Sequence, residues 1–305
     1  MISNAARAGL EEVLGDRVRF GVPLSGHTSL RVGGPADVMA TPATREEMAQ
    51  LLAVCSAHGL RHVVLGSGFN ALVLGGGFEG VVIRMSLWRR LQERPGGGLR
   101  AESGVSHSQI TKFCAERGLS GLEFGCGIPG SIGGWVAMNA GIPAREVKDA
   151  IREVEVMSPT GASVRHLKRD GLRFAYRALR GLAVGSVILS ALFGVGISTP
   201  ARVRAEVDRL LALRSGSQPL NLPSCGSVFK NPPGDYAGRL IESVGLKGRR
   251  IGGAQISPVH ANFITNLGGA VAEDVQALIE EAQRKVFDTT GIRLVPEVRI
   301  VGRSA

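Results

Sequence analysis

The chain has few aromatic residues, and its cysteines lack the spacing that marks a metal or redox site. Two Trp and two Tyr stand against 43 Gly among its 305 residues, so the fold should be rich in turns and close backbone contacts. No C-x-x-C pair occurs, which argues against a zinc site and against a redox dithiol. The cysteines are Cys55, Cys114, Cys126 and Cys225. We therefore predict no metal site.

The chain also lacks a run of apolar residues long enough to span a bilayer. Residues 181–198 carry no charge, but they include four glycines and fall short of the roughly 20 apolar residues of a membrane helix. Their β-branched residues favour a buried strand. Glu11 and Glu12 lie where a signal peptide would need an apolar core. We expect a reduced, soluble, cytoplasmic protein with no membrane partner.

Positive charge exceeds negative charge, but it is scattered. The formal net charge is +10 and the sequence pI is about 10.2, so a nucleic-acid-binding protein is one interpretation. No aromatic platform for base stacking accompanies the basic groups. The densest groups are Arg89-Arg90 and Lys247, Arg249 and Arg250. We favour attraction of several phosphate-bearing small molecules and expect no nucleic-acid partner.

The most unusual segment is the stretch 121–141, GLEFGCGIPGSIGGWVAMNAG. Seven of its 21 residues are glycine, and Glu123 is its single charge. A backbone without Cβ atoms lets a ligand come close, and successive N–H groups can converge on an anion; a set of tight turns is the alternative. Gly125, Gly127 and Gly130 match G-x-G-x-x-G. Pro129 lies inside that motif and no clear strand precedes it, so we reject a standard Rossmann site.

A second glycine-rich loop, GSGFN, occupies residues 66–70. Residues 61–65 and 80–84 are predicted strands, and residues 45–58 form an amphipathic helix with Thr44 as its N-cap. The loop therefore lies in a small α/β unit, where small residues allow N–H groups to approach a diphosphate. An ordinary β-turn loop is the alternative. No helix follows directly, which excludes a Walker loop.

The remaining pattern divides the chain into three parts. Thr199-Pro200 begins a helix, with proline in its first turn, and residues 215–224 form a polar linker. Further strands are predicted near 99–102, 151–157, 163–167, 186–192, 227–229, 255–257, 262–265 and 297–301, and further helices at 4–14, 106–117, 199–214, 235–244 and 271–289. The predicted parts are 1–85, 86–199 and 200–305.

Several motifs, in order along nearly the whole chain, closely resemble one family, the UDP-N-acetylenolpyruvoylglucosamine reductases. These are flavoenzymes that make UDP-N-acetylmuramate for bacterial cell walls. The matching segments are G-L-E-F, G-I-P-G-S-I-G-G and M-N-A-G within 121–141, HTSLRVGGPAD (27–37), GSVFKNPPGDYAGRLIE (226–242), HANFITN (260–266) and PEVRIVG (296–302). The resemblance implies an α+β fold. It has a two-part FAD-binding region of the vanillyl-alcohol-oxidase type (1–85 and 86–199) and a C-terminal α+β substrate domain (200–305).

The resemblance implies FAD as the cofactor and NADPH as its reductant. It puts the FAD pyrophosphate at the 66–70 loop, where Phe69 replaces the family's serine and removes one hydroxyl. The residues implied to contact the cofactor are Gly66, Ser67, Gly68, Phe69, Asn70, Gly127, Ile128, Pro129, Gly130, Ser131, Gly133, Gly134, Ala137, Asn139 and Arg299. The two glycine loops should therefore contact FAD from two different subdomains.

Three residues are implied to carry the chemistry: Arg177, Ser227 and Glu297. By themselves they read as a surface arginine, a turn serine and a solvent-facing strand residue. The family's motifs give Arg177 and Glu297 the task of stabilising the enolate that forms when the substrate accepts hydride, and Ser227 the task of protonating its carbon. Leu179 replaces the serine that ends the family's arginine motif. The residues implied to bind substrate are Tyr176, Arg177 and Asn231.

The implied reaction is the NADPH-driven reduction of UDP-N-acetylglucosamine enolpyruvate, a nucleotide-sugar, to UDP-N-acetylmuramate in peptidoglycan synthesis. The family's longer form has an inserted loop with a tyrosine over the substrate. Residues 178–223 contain no tyrosine, so the chain resembles the shorter form. We expect a monomer. A flavin-fold oxidase with another substrate and a basic nucleic-acid-binding protein are the competing hypotheses.

Overall fold

The computed structural model describes residues 2–304, and within them lie seven α-helices, 21 strands and five short 3-10 turns. The helices are α1 (Asn4–Leu14), α2 (Arg45–Ala57), α3 (His107–Arg117), α4 (Ile132–Ala137), α5 (Pro200–Ser215), α6 (Ala237–Ser243) and α7 (Ala272–Thr290). The first strands are β1 (Val18–Pro23), β2 (Pro35–Ala40), β3 (His62–Leu65), β4 (Ala71–Val73), β5 (Phe78–Arg84), β6 (Leu91–Arg94), β7 (Gly98–Glu102), β8 (Leu119–Ser120), β9 (Gly141–Ile142) and β10 (Arg145–Glu146). The others are β11 (Ile151–Met157), β12 (Val164–Lys168), β13 (Arg173–Ala175), β14 (Ala178–Arg180), β15 (Val187–Gly194), β16 (Gly196–Ile197), β17 (Ser224–Ser227), β18 (Arg250–Ile251), β19 (Ala254–Ile256), β20 (Phe263–Asn266) and β21 (Arg299–Val301).

Helices α2 and α3 begin where the sequence supplies a side-chain cap. Thr44 accepts a hydrogen bond from the Glu47 N–H at the start of α2. Ser106 forms a capping box with Gln109 at the start of α3, which ends at Gly118 in the left-handed region. The observed bounds of α2 and α3 confirm the predicted helices at 45–58 and 106–117 to within one residue at each end.

The chain packs as two compact units. Unit 1 contains 2–20, Val38–Ser67 and Gly80–Arg214, and unit 2 contains Gly21–Asp37, Gly68–Glu79 and 215–304. The three-part division predicted from the sequence concerns cofactor and substrate domains and stays a prediction.

Unit 1 is built on a five-stranded sheet in the order β12-β11-β15-β7-β6. Its neighbouring strands pair antiparallel. The central strand β15 is almost entirely buried and supplies Ala191 and Phe193 to the core. The prediction that residues 181–198 hold a buried strand is thus confirmed. A smaller sheet has the order β1-β2-β5-β3, and α1 and α2 share its core through residues such as Leu10 and Leu51.

Unit 2 is built on a four-stranded sheet in the order β17-β20-β19-β18, and β21 pairs with β4 beside it. The latter pair is parallel, with Arg299 opposite Ala71. The core of unit 2 takes its apolar side chains from α6, α7 and the strands, including Leu240, Leu278 and Ile264.

Two elements near the predicted site were not foreseen. Helix α4 interrupts the glycine stretch, although Gly133 and Gly134 have low helix propensity. The hairpin β13–β14 places Tyr176 and Arg177 in its two-residue turn. The predicted strand at 297–301 begins later, at Arg299, so Glu297 precedes it.

Among residues 2–304, no helix combines the length and apolarity required to cross a membrane. The same part of the chain contains no cluster of His, Cys, Asp or Glu suited to holding a metal ion.

Candidate active site

The glycine stretch is held in shape by its own backbone and by unit 1. Ile132 N–H donates to Val105 O at 2.9 Å, and Gly133 N–H donates to Ser103 O at 2.9 Å. The indole Nε1 of Trp135 donates to Ile128 O at 3.2 Å. The segment is therefore a fixed loop leading into α4.

Within unit 1, the 66–70 loop begins directly beside the glycine stretch 121–141. A Cβ added to Gly66 would overlap Ser131 Oγ. Gly127 (φ 68°) and Gly130 (φ 119°) adopt positive φ angles that favour glycine. The two loops predicted to bind FAD therefore meet at Gly66 and Ser131.

The rest of the 66–70 loop belongs to unit 2 and is packed just as tightly. Gly68 has φ 70°, and a Cβ there would overlap His27 O. Asn70 Nδ2 donates to Glu297 O at 3.2 Å, while the Arg299 N–H donates to Asn70 O at 3.1 Å. Three predicted residues, Asn70, Glu297 and Arg299, are thus adjacent in unit 2.

Two observations in unit 1 fit a large polar cofactor at these loops. Among residues 2–304, no atom outside α4 and its chain neighbours lies within 4 Å of a Cβ built on Gly134. The buried Ser103 Oγ, beside Gly133, has no hydrogen-bond partner among the described residues. Bare backbone with open space and an unsatisfied hydroxyl is the environment that a cofactor can complete. Phe69, in contrast, is exposed and contributes no polar group.

Arg177 lies in the turn of the β13–β14 hairpin with φ 54°, a conformation rare for a residue with a side chain. Its Nη2 donates to Gly141 O at 3.2 Å, and its guanidinium carbon lies 5.1 Å from the centre of the Tyr176 ring. The arginine side chain is only 20% exposed. It is therefore held in place, unlike a mobile surface arginine.

Asn139 links the glycine stretch to this hairpin. It is fully buried, with φ 42°, and its Nδ2 donates to Ala175 O at 3.1 Å. Its Oδ1 accepts a hydrogen bond from Lys148 N–H at 3.0 Å. The side chain thus joins parts of unit 1; a contact between Asn139 and FAD stays a prediction.

Arg214, at the end of α5, was not foreseen from the sequence. Its Nη1 donates to Gly127 O at 2.6 Å. Burial and, less strongly, the charge of Arg177 lower the pKa of Arg214; burial also lowers the pKa of His107. Two arginines thus give this part of unit 1 a positive potential that suits an anionic ligand. Only the fold relates Arg214 to Gly127, 87 residues earlier.

Ser227 and Glu297 lie on neighbouring segments of unit 2. Ser227 follows Gly226, whose φ is 73°, at an irregularity in the pairing of β17 with β20. The Glu297 N–H donates to Val228 O at 2.7 Å. Because Val228 directly follows Ser227, this hydrogen bond brings the backbones of the two predicted catalytic residues close together. Half-burial of both side chains leaves them accessible to a ligand.

Cys225 and Asn231 flank this pair. Burial raises the pKa of the Cys225 thiol to about 12, with a smaller contribution from the charge of Glu297, so Cys225 stays protonated and acts as a packing residue. Asn231 Oδ1 accepts a hydrogen bond from the Ala237 N–H at 3.0 Å and thereby caps α6. A substrate contact of Asn231 stays a prediction.

Comparison with known proteins finds two family domains in the chain. Residues 36–167 match an FAD binding domain, and residues 218–301 match the C-terminal domain of UDP-N-acetylenolpyruvoylglucosamine reductase. The UDP-N-acetylenolpyruvoylglucosamine reductase of Geotalea uraniireducens (strain Rf4) is 40% identical over 301 residues, 99% of each chain.

Solved structures agree with these matches. The UDP-N-acetylenolpyruvylglucosamine reductase of Thermus caldophilus has a TM-score of 0.79 and 35% identity, with 93% of this chain and 98% of that chain covered. A VAO-type flavoprotein of Myceliophthora thermophila C1 is similar in fold, with a TM-score of 0.52 and 12% identity over 65% of this chain and 48% of that chain. The predicted α+β class with a VAO-type FAD-binding region is confirmed. The chain belongs to the UDP-N-acetylenolpyruvoylglucosamine reductase family.

Proposed function

We propose that this chain catalyses the NADPH-driven, FAD-dependent reduction of UDP-N-acetylglucosamine enolpyruvate to UDP-N-acetylmuramate. The observation that carries this proposal is the 40% identity to a reductase of that family over 99% of both chains. All four cysteines are buried and form no disulfide, which suits a reducing compartment. We further propose that the protein acts in the cytoplasm as a monomer.

FAD supplies the hydride-transfer chemistry when bound, and the protein supplies orientation and electrostatics. The residues proposed to hold it are those of the 66–70 loop and the Gly127–Asn139 segment, with Arg299 as a further contact. Their bare backbone and the open space at Gly134 support this assignment. Ser131 and Ser67 add hydroxyl groups, and Phe69 contributes only an apolar ring.

The chain's own residues would stabilise and protonate the reacting substrate. Arg177, already oriented by its turn, would bind the enolpyruvyl carboxylate and stabilise negative charge that develops next to it. Glu297 would hydrogen-bond to the same group, and Ser227 would deliver a proton to carbon as general acid. Tyr176 and Asn231 are proposed to bind the nucleotide-sugar.

The two half-reactions test these roles separately. Ser227→Ala should leave the reduction of bound flavin by NADPH near its normal rate, because that step needs no proton on the substrate carbon. It should slow reoxidation by the enolpyruvyl substrate about 100- to 10,000-fold, the usual contribution of a general acid. Stopped-flow absorbance of the flavin measures both steps. Ser243→Ala, whose hydroxyl donates to Leu240 O within α6, is the matched control.

Three results would contradict the proposal. A purified protein without flavin absorbance that binds nucleic acid would favour the basic-protein hypothesis, and rapid oxygen consumption without the enolpyruvyl substrate would favour a flavin-fold oxidase. If Ser227→Ala slows flavin reduction and leaves reoxidation normal, Ser227 serves NADPH and another group protonates the substrate.

A further inference from the structure

Glu146 lies on β10 and faces the guanidinium of Arg177. Its Oε1 is 3.8 Å from Arg177 Nη1, and its Oε2 accepts hydrogen bonds from Asn139 Nδ2 at 2.8 Å and from Lys148 Nζ at 2.7 Å. The Glu146 side chain is 16% exposed. One carboxylate therefore contacts three polar side chains of unit 1.

These contacts converge on the turn that carries Arg177. The two hydrogens of the Asn139 amide bridge the Glu146 carboxylate and the carbonyl of Ala175, which is two residues before Arg177. Gly141, whose carbonyl accepts from Arg177 Nη2, is the strand partner of Glu146 in the β9–β10 pair. The guanidinium and the backbone of its turn are thus fixed to the same short strand pair.

The charges around Glu146 determine how strongly Arg177 can attract an anionic substrate. A carboxylate alone beside Arg177 would cancel its charge and weaken its attraction for an anionic substrate. The positive charge of Lys148 offsets the negative charge of the Glu146 carboxylate. The hydrogen bond between the two side chains raises the pKa of Lys148. Arg177, Lys148 and Glu146 together carry one net positive charge. The arginine is therefore oriented by a carboxylate without the group losing its attraction for anions.

We propose that Glu146 is a positioning residue for Arg177, holding its guanidinium in the orientation that grips the substrate carboxylate. This role rests on the proposed function of Arg177. As a positioning residue, Glu146 would act through Arg177 and not on the substrate directly. Its effect should therefore appear in the half-reaction that needs Arg177 and vanish when Arg177 is removed.

The experiment is a double-mutant cycle on the flavin-loaded enzyme. Glu146→Ala should slow reoxidation by the enolpyruvyl substrate about 10- to 100-fold, the scale expected for a misplaced catalytic group. Flavin content and the rate of reduction by NADPH should stay normal. In the Arg177→Ala background, Glu146→Ala should add little further loss. Glu146→Gln keeps an oxygen for Asn139 and should recover part of the rate, so it also serves if the alanine variant folds poorly.

Glu206→Ala is the matched control, since it removes a carboxylate from an exposed arginine pair on α5 and should change neither half-reaction. If Arg177→Ala slows reoxidation but Glu146→Ala leaves it normal, or multiplies the loss in the Arg177→Ala background, Glu146 does not act through Arg177. If Arg177→Ala itself reoxidises normally, the proposed role of Arg177 fails, and the role of Glu146 fails with it.

Discussion

Glu155, a residue far from any sequence motif, is a buried carboxylate in the main sheet of unit 1. It accepts hydrogen bonds from Arg45 Nε at 2.7 Å, Arg45 Nη2 at 2.8 Å and Ser190 Oγ at 2.6 Å. Burial acts to raise its pKa, but the donors from Arg45 and Ser190 outweigh burial and hold the pKa of Glu155 below its ordinary value. Glu155 is therefore a charged group that the fold stabilises.

Glu155→Gln should lower the free energy of unfolding by about 2 kcal/mol at pH 7, since it weakens hydrogen bonds to a charged group. Because the folded pKa lies below the unfolded value of about 4.3, this stabilisation is complete above the unfolded pKa and is lost as pH falls through the folded pKa. The difference between wild type and variant should therefore shrink in acid. Urea unfolding from pH 7 to pH 3 measures it.

Glu11→Gln is the control, because its partner Arg7 lies at 3.6 Å on the exposed face of α1 and such pairs contribute little. A difference for Glu155→Gln that widens as the pH falls would show that the carboxylate is not stabilised in the folded protein.

At the scale of elements, helix α4 exposes bare backbone at Gly134. In the part of the chain that the structure describes, no atom outside the helix and the chain neighbours lies within 4 Å of a Cβ there. Gly134→Leu should therefore fold with unchanged or slightly increased stability, as leucine favours a helix more than glycine does. It should also lower the FAD content of the purified protein, since its side chain would enter the proposed cofactor space. Flavin absorbance per protein and thermal unfolding measure the two effects.

Gly171→Leu gives the comparison, since Gly171 also has open space around a Cβ among the described residues but lies in a 3-10 turn that belongs to neither glycine loop. It should keep full FAD content. Full FAD content in Gly134→Leu would exclude α4 from the cofactor site.

Elements with local signals were predictable, and those set by distant partners were not. Thr44 and Ser106 mark the starts of α2 and α3 through hydrogen bonds three residues away. The turn around Arg177 is different, because Asn139 and Ala175, which fix it, are 36 residues apart. The sequence motifs pointed to Arg177 and Glu297 as candidate site residues. They did not point to Glu146 or Arg214, because the contacts of these two residues form only when the chain folds.

At the scale of the whole molecule, the net charge of +10 should speed the encounter with NADPH and with the nucleotide-sugar, because both carry several phosphate charges. Added KCl screens this attraction. We expect kcat/KM for both substrates to fall as salt rises from about 0.01 to 0.15 M, where the screening length shrinks from about 30 to 8 Å, while kcat changes little. Steady-state kinetics across that range are the measurement.

Sucrose at matched osmolality controls for effects other than charge and should leave kcat/KM unchanged. A kcat/KM that is independent of salt would show that the scattered basic residues do not guide the substrates.

The pairing of β21 with β4 has a consequence for biosynthesis. Asn70 and Glu297, which meet beside this pair, are 227 residues apart, so a ribosome that adds about 5–20 residues per second needs roughly 10 to 45 seconds between them. During that time β4 lacks its partner strand β21 on the nascent chain. The edge of an unpaired strand can form hydrogen bonds with other chains. Chaperones that cover nascent chains should therefore affect the yield of this protein more than its final stability.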